Sequence, residues 1–299
     1  MVKFVQAGGN MNENSHENVF ELISNNYYDL TTAEKRIADY IIADPEHVQQ
    51  AGISDLADAC GTAMATVSRF SRKLGYDSFS ALRIAIAHAL SSQSSNAEFL
   101  TGKITMEDTF EDECQKIHTA DLAVITQTYN LINEKIYMKA VDMLLNAKRV
   151  VCMGQGGSVI IAMEAAHLFS TVCGKFTCIQ DSHMQVITIS NMDENDVLLY
   201  FSYSGSVRDM MENFALASAR GVKTILFTRF PKSPGAELAD IVLQCGSSES
   251  PLQLGSIPAR LSQLFMLDVL FSEYCRRDYD TAKESRKRIA HAISEKHVE

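Results

Sequence analysis

Lys148–Ser170 reads KRVVCMGQGGSVIIAMEAAHLFS. The β-rich run Val150, Val151, Cys152, Met153 stops at Gly154, and a glycine-rich link hands over to residues whose apolar positions suit a helix. The rhythm repeats downstream. FTCIQ (Phe176–Gln180) reads as a second short strand, and DSHMQVITISNM (Asp181–Met192) as mainly helix despite its Ile and Val. DVLLYFSYSG (Asp196–Gly205) is a third strand ending in a glycine and hydroxyl turn, with VRDMMENFALASARG as its helix; VKTILFT (Val222–Thr228) and DIVLQC (Asp240–Cys245) are the fourth and fifth. Strands alternating with helices predict βαβ units, hence an αβα sandwich around a mostly parallel five-stranded sheet with helices on both faces.

Upstream the period changes. A long helical region precedes the first strand, with Cys114, Ile117, Leu122, Ile125, Leu131, Ile136, Val141, Leu144 and Leu145 as its apolar positions. Before it, SSQSSN (Ser91–Asn96) has linker composition. Further back, Leu30, Ile37, Tyr40 and Ile41 recur at helical spacing in YYDLTTAEKRIADYIIADP, which Thr31 or Thr32 can cap and Pro45 ends. ISDLADAC follows, with Ile53, Leu56 and Ala57 inward, Ser54 available as a cap and Gly61 as the break. TAMATVSRFSRKLGYDSF then carries Val67, Phe70 and Leu74 on one stripe, and ALRIAIAHAL returns to the helical period. Four or five short helices are expected here, after a polar and loosely held stretch from Met1 to Glu21. The chain is thus multidomain: an all-α helix-turn-helix domain at 1–95, a linker at 96–107 and an α/β domain at 108–299.

Composition agrees with two folded domains. The 299 residues are 46% hydrophobic and 21% charged, enough apolar content for sizeable cores and too much for disorder. Seven scattered cysteines argue against a disulfide framework and for a reducing compartment, and the N-terminal stretch resembles neither a secretory signal nor a membrane span. A cytoplasmic protein with no membrane partner is expected. The net charge of -10 weighs against nonspecific coating of nucleic acid, although a local basic patch can overrule the total. The last apolar helix, starting near Pro258 with Leu261, Leu264, Phe265, Leu267, Leu270 and Phe271, serves either the core or another subunit. The charged tail after it is expected to be a solvated helix.

Two constellations carry chemistry. In ISDLADACGTAMATVSRFSRKLGY, a short helix, a turn at Gly61 and a second helix opening on Thr62, Ala63, Met64, Ala65, Thr66 and Ser68 have the order of a helix-turn-helix, whose small residues can approach base edges. Arg69, Arg72 and Lys73 can neutralise phosphates, and with Arg83 against Asp77 the segment has a local charge of +3. An ordinary helical hairpin with a solvated basic face would look similar. The block from Leu30 to Leu90, including TVSRFSRKLGY, closely resembles the N-terminal domain of the RpiR family of bacterial transcription regulators. The resemblance implies binding to double-stranded operator DNA, with a recognition helix over Ala63–Leu74 and contacts drawn from Thr62, Met64, Ala65, Thr66, Ser68, Arg69, Arg72 and Lys73.

The second constellation is a pair of turns at strand ends. GQGGS (Gly154–Ser158) allows a tight turn with exposed amides at a helix start, yet lacks the GxGxxG spacing of dinucleotide sites and the GK[ST] of a Walker loop. FSYSGS places Ser202, Ser204 and Ser206 around Gly205 at the end of the most hydrophobic strand, where hydroxyls and amides can hold a phosphate. Both turns fall where parallel sheets place ligands. Together with DSHMQ, VKTILFT and ELADIVLQC they resemble the sugar isomerase domain, a phosphosugar-binding module found in isomerases and in RpiR-type regulators. The resemblance implies ligand contacts from Gly154, Gly156, Gly157 and Ser158, a phosphate cradle of Ser202, Ser204, Gly205 and Ser206, and a pocket border at Asp181, Ser182 and His183. Phe201 departs from the Ile or Val usual before the serines, while Ser206 keeps the oxygen that a Thr supplies in many members.

His183 has the pKa range of a general base, but binding a sugar hydroxyl or satisfying a loop are equally open to it. Glu249 and His167 are weaker acid or base candidates, and no metal site, cofactor or catalytic residue is expected. The expected function is a DNA-binding transcriptional regulator controlled by a phosphorylated sugar effector, acting as a homodimer or dimer of dimers on a two-fold operator. The alternatives are a sugar-phosphate aldose-ketose isomerase with an accessory helical domain and a DNA-associated structural protein with a vestigial pocket.

Overall fold

Residues 19–93, 104–246 and 257–294 are described by a computed structural model, in which the chain divides into two units, 1–94 and 95–299. The first unit is all helical: α1 Val19–Asn26, a 3-10 turn Tyr27–Asp29, α2 Thr32–Ala43, α3 Pro45–Gln50, α4 Ile53–Ala59, α5 Met64–Lys73 and α6 Phe79–Gln93. Thr31 starts α2 through a reciprocal capping box with Glu34. Asp44 then ends α2 and caps α3, with Pro45 at its first turn, where the missing N–H does no harm. Ile37, Ile41, Leu56, Val67, Phe70, Leu82 and Ile86 are fully buried in a shared core.

Three local expectations are corrected in this unit. Val19 and Phe20 are buried and Ile23 is fully so, so α1 is part of the core and the stretch taken as loose up to Glu21 already contains its start. Ser54 does not cap α4; Gly52 is the cap residue, and the Asp55 carboxylate accepts from its amide at 2.9 Å. The helix α6 continues through Ser91 to Gln93, into the stretch read as a linker.

The second unit contains α7 Phe110–Leu131, α8 Glu134–Asn146, β1 Arg149–Gly154, α9 Ser158–Ser170, β2 Phe176–Cys178, α10 Ser182–Ser190, β3 Asp196–Phe201, α11 Arg208–Ala219, β4 Lys223–Thr228, α12 Pro234–Leu238, β5 Ile241–Gln244, α13 Ile257–Arg277 and α14 Tyr279–Ser294. The sheet is parallel throughout, in the order β2-β1-β3-β4-β5. Strand alternation sends Val150, Cys152, Leu199, Phe201, Ile225 and Phe227 to one face, packed with residues of α8, α9 and α13. Val151, Met153, Leu198, Tyr200 and Leu226 go to the other, packed with residues of α10 and α11. That two-sided burial is why the strands read as continuous apolar runs.

Packing corrects the apolar positions assigned to the long helical region. Val141 and Leu144 are buried, but Cys114, Ile117, Leu122, Leu131 and Ile136 are exposed, and α7 instead buries Val124 and Thr128. Thr128 ties α7 to the end of β5: its hydroxyl oxygen accepts from the Gly246 amide at 3.2 Å, while its proton is directed to the Val124 carbonyl at 2.7 Å. The apolar stripe of α13 is largely core, with Leu267, Leu270 and Phe271 buried and Leu264 left exposed. Among the described residues no helix is long and apolar enough to cross a membrane. The boundary stretch 94–103 and Glu249 lie outside the described residues.

Candidate functional site

In the helical unit, Cys60–Ala63 turns the chain from α4 into α5, with Gly61 in the left-handed region at φ 58°. Thr62 does not project freely: its amide bonds to the Ala57 carbonyl at 2.8 Å, and its hydroxyl oxygen is buried without a hydrogen-bond partner among the described residues. Ala63 has no side chain that can cap α5. Val67 and Phe70 are fully buried and anchor the helix, leaving Met64, Ala65, Arg69 and Arg72 exposed and Thr66 and Ser68 half-buried. Arg69 is held loosely along the helix by a 3.4 Å hydrogen bond to the Thr66 hydroxyl.

Two of the four cations counted in the +3 segment are occupied internally. Lys73 forms a 3.0 Å ion pair with Glu34 and donates to the Asp29 carbonyl, fastening α5 to the start of α2. Arg83 donates to the Ala51 carbonyl at 3.1 Å. Burial pushes the Glu34 carboxyl up, but hydrogen bonds from Thr31 and Lys73 outweigh it and hold the group below the usual carboxylate value.

In the α/β unit, Gly154 pairs with Phe201, so the GQGGS and SYSGS turns leave the sheet side by side at the point where strand order reverses. Open α/β sheets bind ligands at such a point, beyond the carboxyl ends of the strands. A Cβ on Gly154 would lie 2.8 Å from the Ser158 carbonyl, so the tight passage from β1 into α9 requires glycine. Gly156 turns the chain at φ 54°, and Gly156 and Gly157 are exposed. Ser158, half-buried, opens α9, where the amides of Ser158, Val159 and Ile160 bond back to Gln155, Gly156 and Gly157.

The second turn is strapped from below. The amide of Ser202 donates to the Phe227 carbonyl, the Thr228 hydroxyl to the Tyr203 carbonyl, and the Gly235 amide to the Gly205 carbonyl at 2.8 Å. Ser202 is buried, and its hydroxyl oxygen accepts from the Gly205 amide at 3.2 Å. It therefore shapes the turn from within. Ser204 is half-buried and accepts from the Ser206 amide, and Ser206 is exposed. Asp181 is engaged as the cap of α10, accepting from the Met184 amide at 2.9 Å, while Ser182 and His183 are exposed in the first turn of that helix.

Beneath these loops is a set of amides that the motif reading missed. Gln185 is fully buried; its Nε2 donates to the Ile179 carbonyl at 2.9 Å and the Gly154 carbonyl at 3.3 Å. Its Oε1 accepts from Gln155 at 2.9 Å and from Asn213 at 3.0 Å, and Gln155 also donates to the Tyr200 hydroxyl at 3.3 Å. Burial raises the Tyr200 hydroxyl pKa, with hydrogen bonds to Asn213 and Gln155 pulling in the other direction. One buried amide thus links the ends of β1 and β2 to α11, and through Gln155 to the first turn. The sequence carries no signal for it, since a glutamine in the first turns of α10 becomes a buried residue only where α11 packs over it.

Comparison with known proteins joins the two units in one family. Residues 17–93 match the model of the helix-turn-helix domain of the rpiR family, and residues 143–273 match the SIS domain. An HTH-type transcriptional regulator of Caldanaerobacter subterraneus is 33% identical over 250 residues, covering 84% of this chain and 88% of that protein. HexR, an HTH-type transcriptional regulator of Pseudomonas aeruginosa, is 28% identical, covering 85% and 88%. Among solved structures, NanR of Vibrio vulnificus complexed with ManNAc-6P superposes with a TM-score of 0.62 at 25% identity, covering 95% of this chain and 100% of that one. The sugar isomerase domain of an RpiR transcription factor from Sphaerobacter thermophilus has a TM-score of 0.55 at 23% identity over 60% of this chain and 98% of its own, a likeness of fold. With a helix-turn-helix ahead of a five-stranded parallel α/β unit, the chain belongs to the RpiR family of helix-turn-helix transcriptional regulators.

Proposed function

We propose that this regulator is a cytoplasmic protein that reads double-stranded operator DNA through α5 and changes its operator affinity when a phosphorylated sugar enters the loops after β1 and β3. The observation that carries the effector reading is the pairing of Gly154 with Phe201, which brings two glycine and hydroxyl turns together at the switch point of the sheet. ManNAc-6P bound to the structurally similar NanR supports a phosphosugar as the class of ligand. Gly154, Gly156, Gly157 and Ser158 form the first wall of the proposed pocket. Ser204 and Ser206 offer hydroxyls in the second, Ser202 and Gly205 set its shape, and Asp181, Ser182 and His183 border it.

On the DNA side, Met64, Ala65, Thr66, Ser68, Arg69 and Arg72 are the proposed contact residues, while Thr62 and Lys73 hold the reading helix in place. A two-fold operator calls for two such helices, so the working form is a homodimer or a dimer of dimers. Sugar and DNA then act reciprocally: an effector that weakens operator binding is itself weakened to the same factor by operator. Relatives named as transcriptional regulators, and an Asp181 engaged as a helix cap beside His183, favour a sensor over an aldose-ketose isomerase.

A thermal-shift series on the full chain tests this, using sugar phosphates, the matching unphosphorylated sugars, and each candidate incubated long enough to detect its isomer. A rise in melting temperature confined to one or two phosphorylated sugars, without turnover, is the expected result. Turnover would transfer the site to the isomerase reading, and equal shifts with the unphosphorylated sugars would remove the phosphate cradle.

A further inference from the structure

Arg36 lies on α2, outside the α4–turn–α5 segment whose motif points to DNA, yet the fold brings it to that segment's turn. Its Nη1 is 3.5 Å from the position a Cβ would take on Gly61, and its positive charge acts on the neighbouring Cys60 thiol against the rise that burial causes. The side chain is exposed and has no hydrogen-bond or ion-pair partner among the described residues. The other cations of this unit divide clearly. Lys35 lies over the Tyr27 and Tyr28 rings, and Lys73 and Arg83 are bound to groups of their own unit. Among the described residues Arg36 and Arg72 remain without such a partner, together with Arg69, which is held only along its own helix by the Thr66 hydroxyl at 3.4 Å.

That turn is poor in partners of its own. The Thr62 hydroxyl oxygen is buried and unpartnered, and Ala63 offers no capping side chain to the first amides of α5. A guanidinium beside such a turn can take a phosphate oxygen with charge-assisted hydrogen bonds. We propose that Arg36 is a further DNA-contact residue, binding a backbone phosphodiester next to the start of α5 and so fixing how that helix enters the groove. The assignment rests on the reading of α5 as the DNA-reading helix. A phosphate contact carries no base information, so its role is affinity and register.

The test is fluorescence anisotropy of the full-length protein with a duplex that the wild type enriches from a random-sequence library, long enough for two half-sites, titrated with salt, for the wild type and Arg36→Ala, Arg36→Lys, Arg72→Ala and Lys135→Ala. Each phosphate contact adds about 0.9 to the slope of log affinity against log salt. Arg36→Ala is expected to weaken binding severalfold and to flatten the slope by about that amount per protomer. Arg36→Lys should retain most of the slope, Lys135→Ala on α8 should match wild type, and an unchanged melting temperature should show that Arg36→Ala is folded. Wild-type affinity and slope in Arg36→Ala, alongside a loss in Arg72→Ala, would overturn the assignment while leaving α5 as the reader. Loss of binding in Arg36→Ala with no change in slope would also overturn it, and failure of the wild type to enrich any duplex from the library would overturn both readings.

Discussion

The Oε1 of Gln185 accepts a hydrogen bond from Nδ2 of Asn213 at 3.0 Å, with both side chains buried between α10 and α11. This bond completes a set in which the Gln185 amide also serves the Gly154 and Ile179 carbonyls, so the loop-bearing ends of β1 and β2 are held to one side chain. Gln185→Leu keeps approximate size but strands the Asn213 donor and two backbone acceptors. A loss of about 2 to 4 kcal/mol in urea unfolding is expected, larger than for one ordinary hydrogen bond because the partners cannot reach water. Asn213→Leu in addition should cost less than it does alone, since the donor that it removes is already stranded; a double-mutant cycle measures that coupling.

Gly205 supplies a second prediction for the same loops. At φ 62° an L side chain is strained, and a Cβ there would collide with the Ser233 side chain and come within 2.9 Å of the Thr228 hydroxyl. Gly205→Ala is expected to lower stability by about 2 kcal/mol or more and to remove the sugar-phosphate thermal shift. Ser233→Ala added to it should restore little of the stability, because it removes the Oγ contact but leaves the Ser233 Cβ at 2.7 Å, the Thr228 hydroxyl and the backbone strain, and takes the side-chain cap from α12. Full recovery would mean that conformation contributes nothing at this turn.

The reading helix separates contact from support in the same way. Phe70 is fully buried and Arg72 fully outside the core. Phe70→Ala should cost about 3 to 5 kcal/mol and abolish DNA binding by loosening the unit. Arg72→Ala should leave the melting temperature unchanged and reduce DNA affinity with a smaller salt slope. Equal melting temperatures for the two variants would contradict the packing role of Phe70.

How far this arrangement was readable from the residues depended on what each feature needs. The five strands and the strand-turn-helix alternation were legible because buried parallel strands must be apolar runs, as in Val150–Met153 and Val197–Phe201, and because Gly154 and Gly205 mark turns that other residues cannot make. Side-chain partners were not legible. Lys73 and Arg72 are adjacent basic residues in sequence, and only tertiary packing puts Glu34 against one of them. Gln185 has the appearance of a solvated residue within a helix until α11 covers it. The apolar series Ile117, Leu122 and Leu131 misled for the opposite reason: helical spacing identifies a face, while what covers that face is set by the rest of the fold. Phe20 and Val19 were missed because the polar stretch ahead of them dominates local composition.

The Glu34–Lys73 pair turns that difference into a pH dependence. In the folded protein the Glu34 carboxyl titrates below its usual value, because bonds from Thr31 and Lys73 outweigh the upward push of burial. A depressed folded pKa gives stability that is present above the ordinary glutamate pKa and is lost as pH falls through the folded value. Lys73→Met removes the ammonium and keeps the apolar stem, so the folded pKa of Glu34 should move upward. The variant should be less stable than wild type at neutral pH, by up to about 1 kcal/mol for so partly exposed a cation. The gap should narrow as pH falls into the acid range where wild-type Glu34 protonates. Urea midpoints of both proteins across that range provide the check, and a gap that stays constant through it would show that Lys73 acts on stability through its bond to the Asp29 carbonyl and not through Glu34.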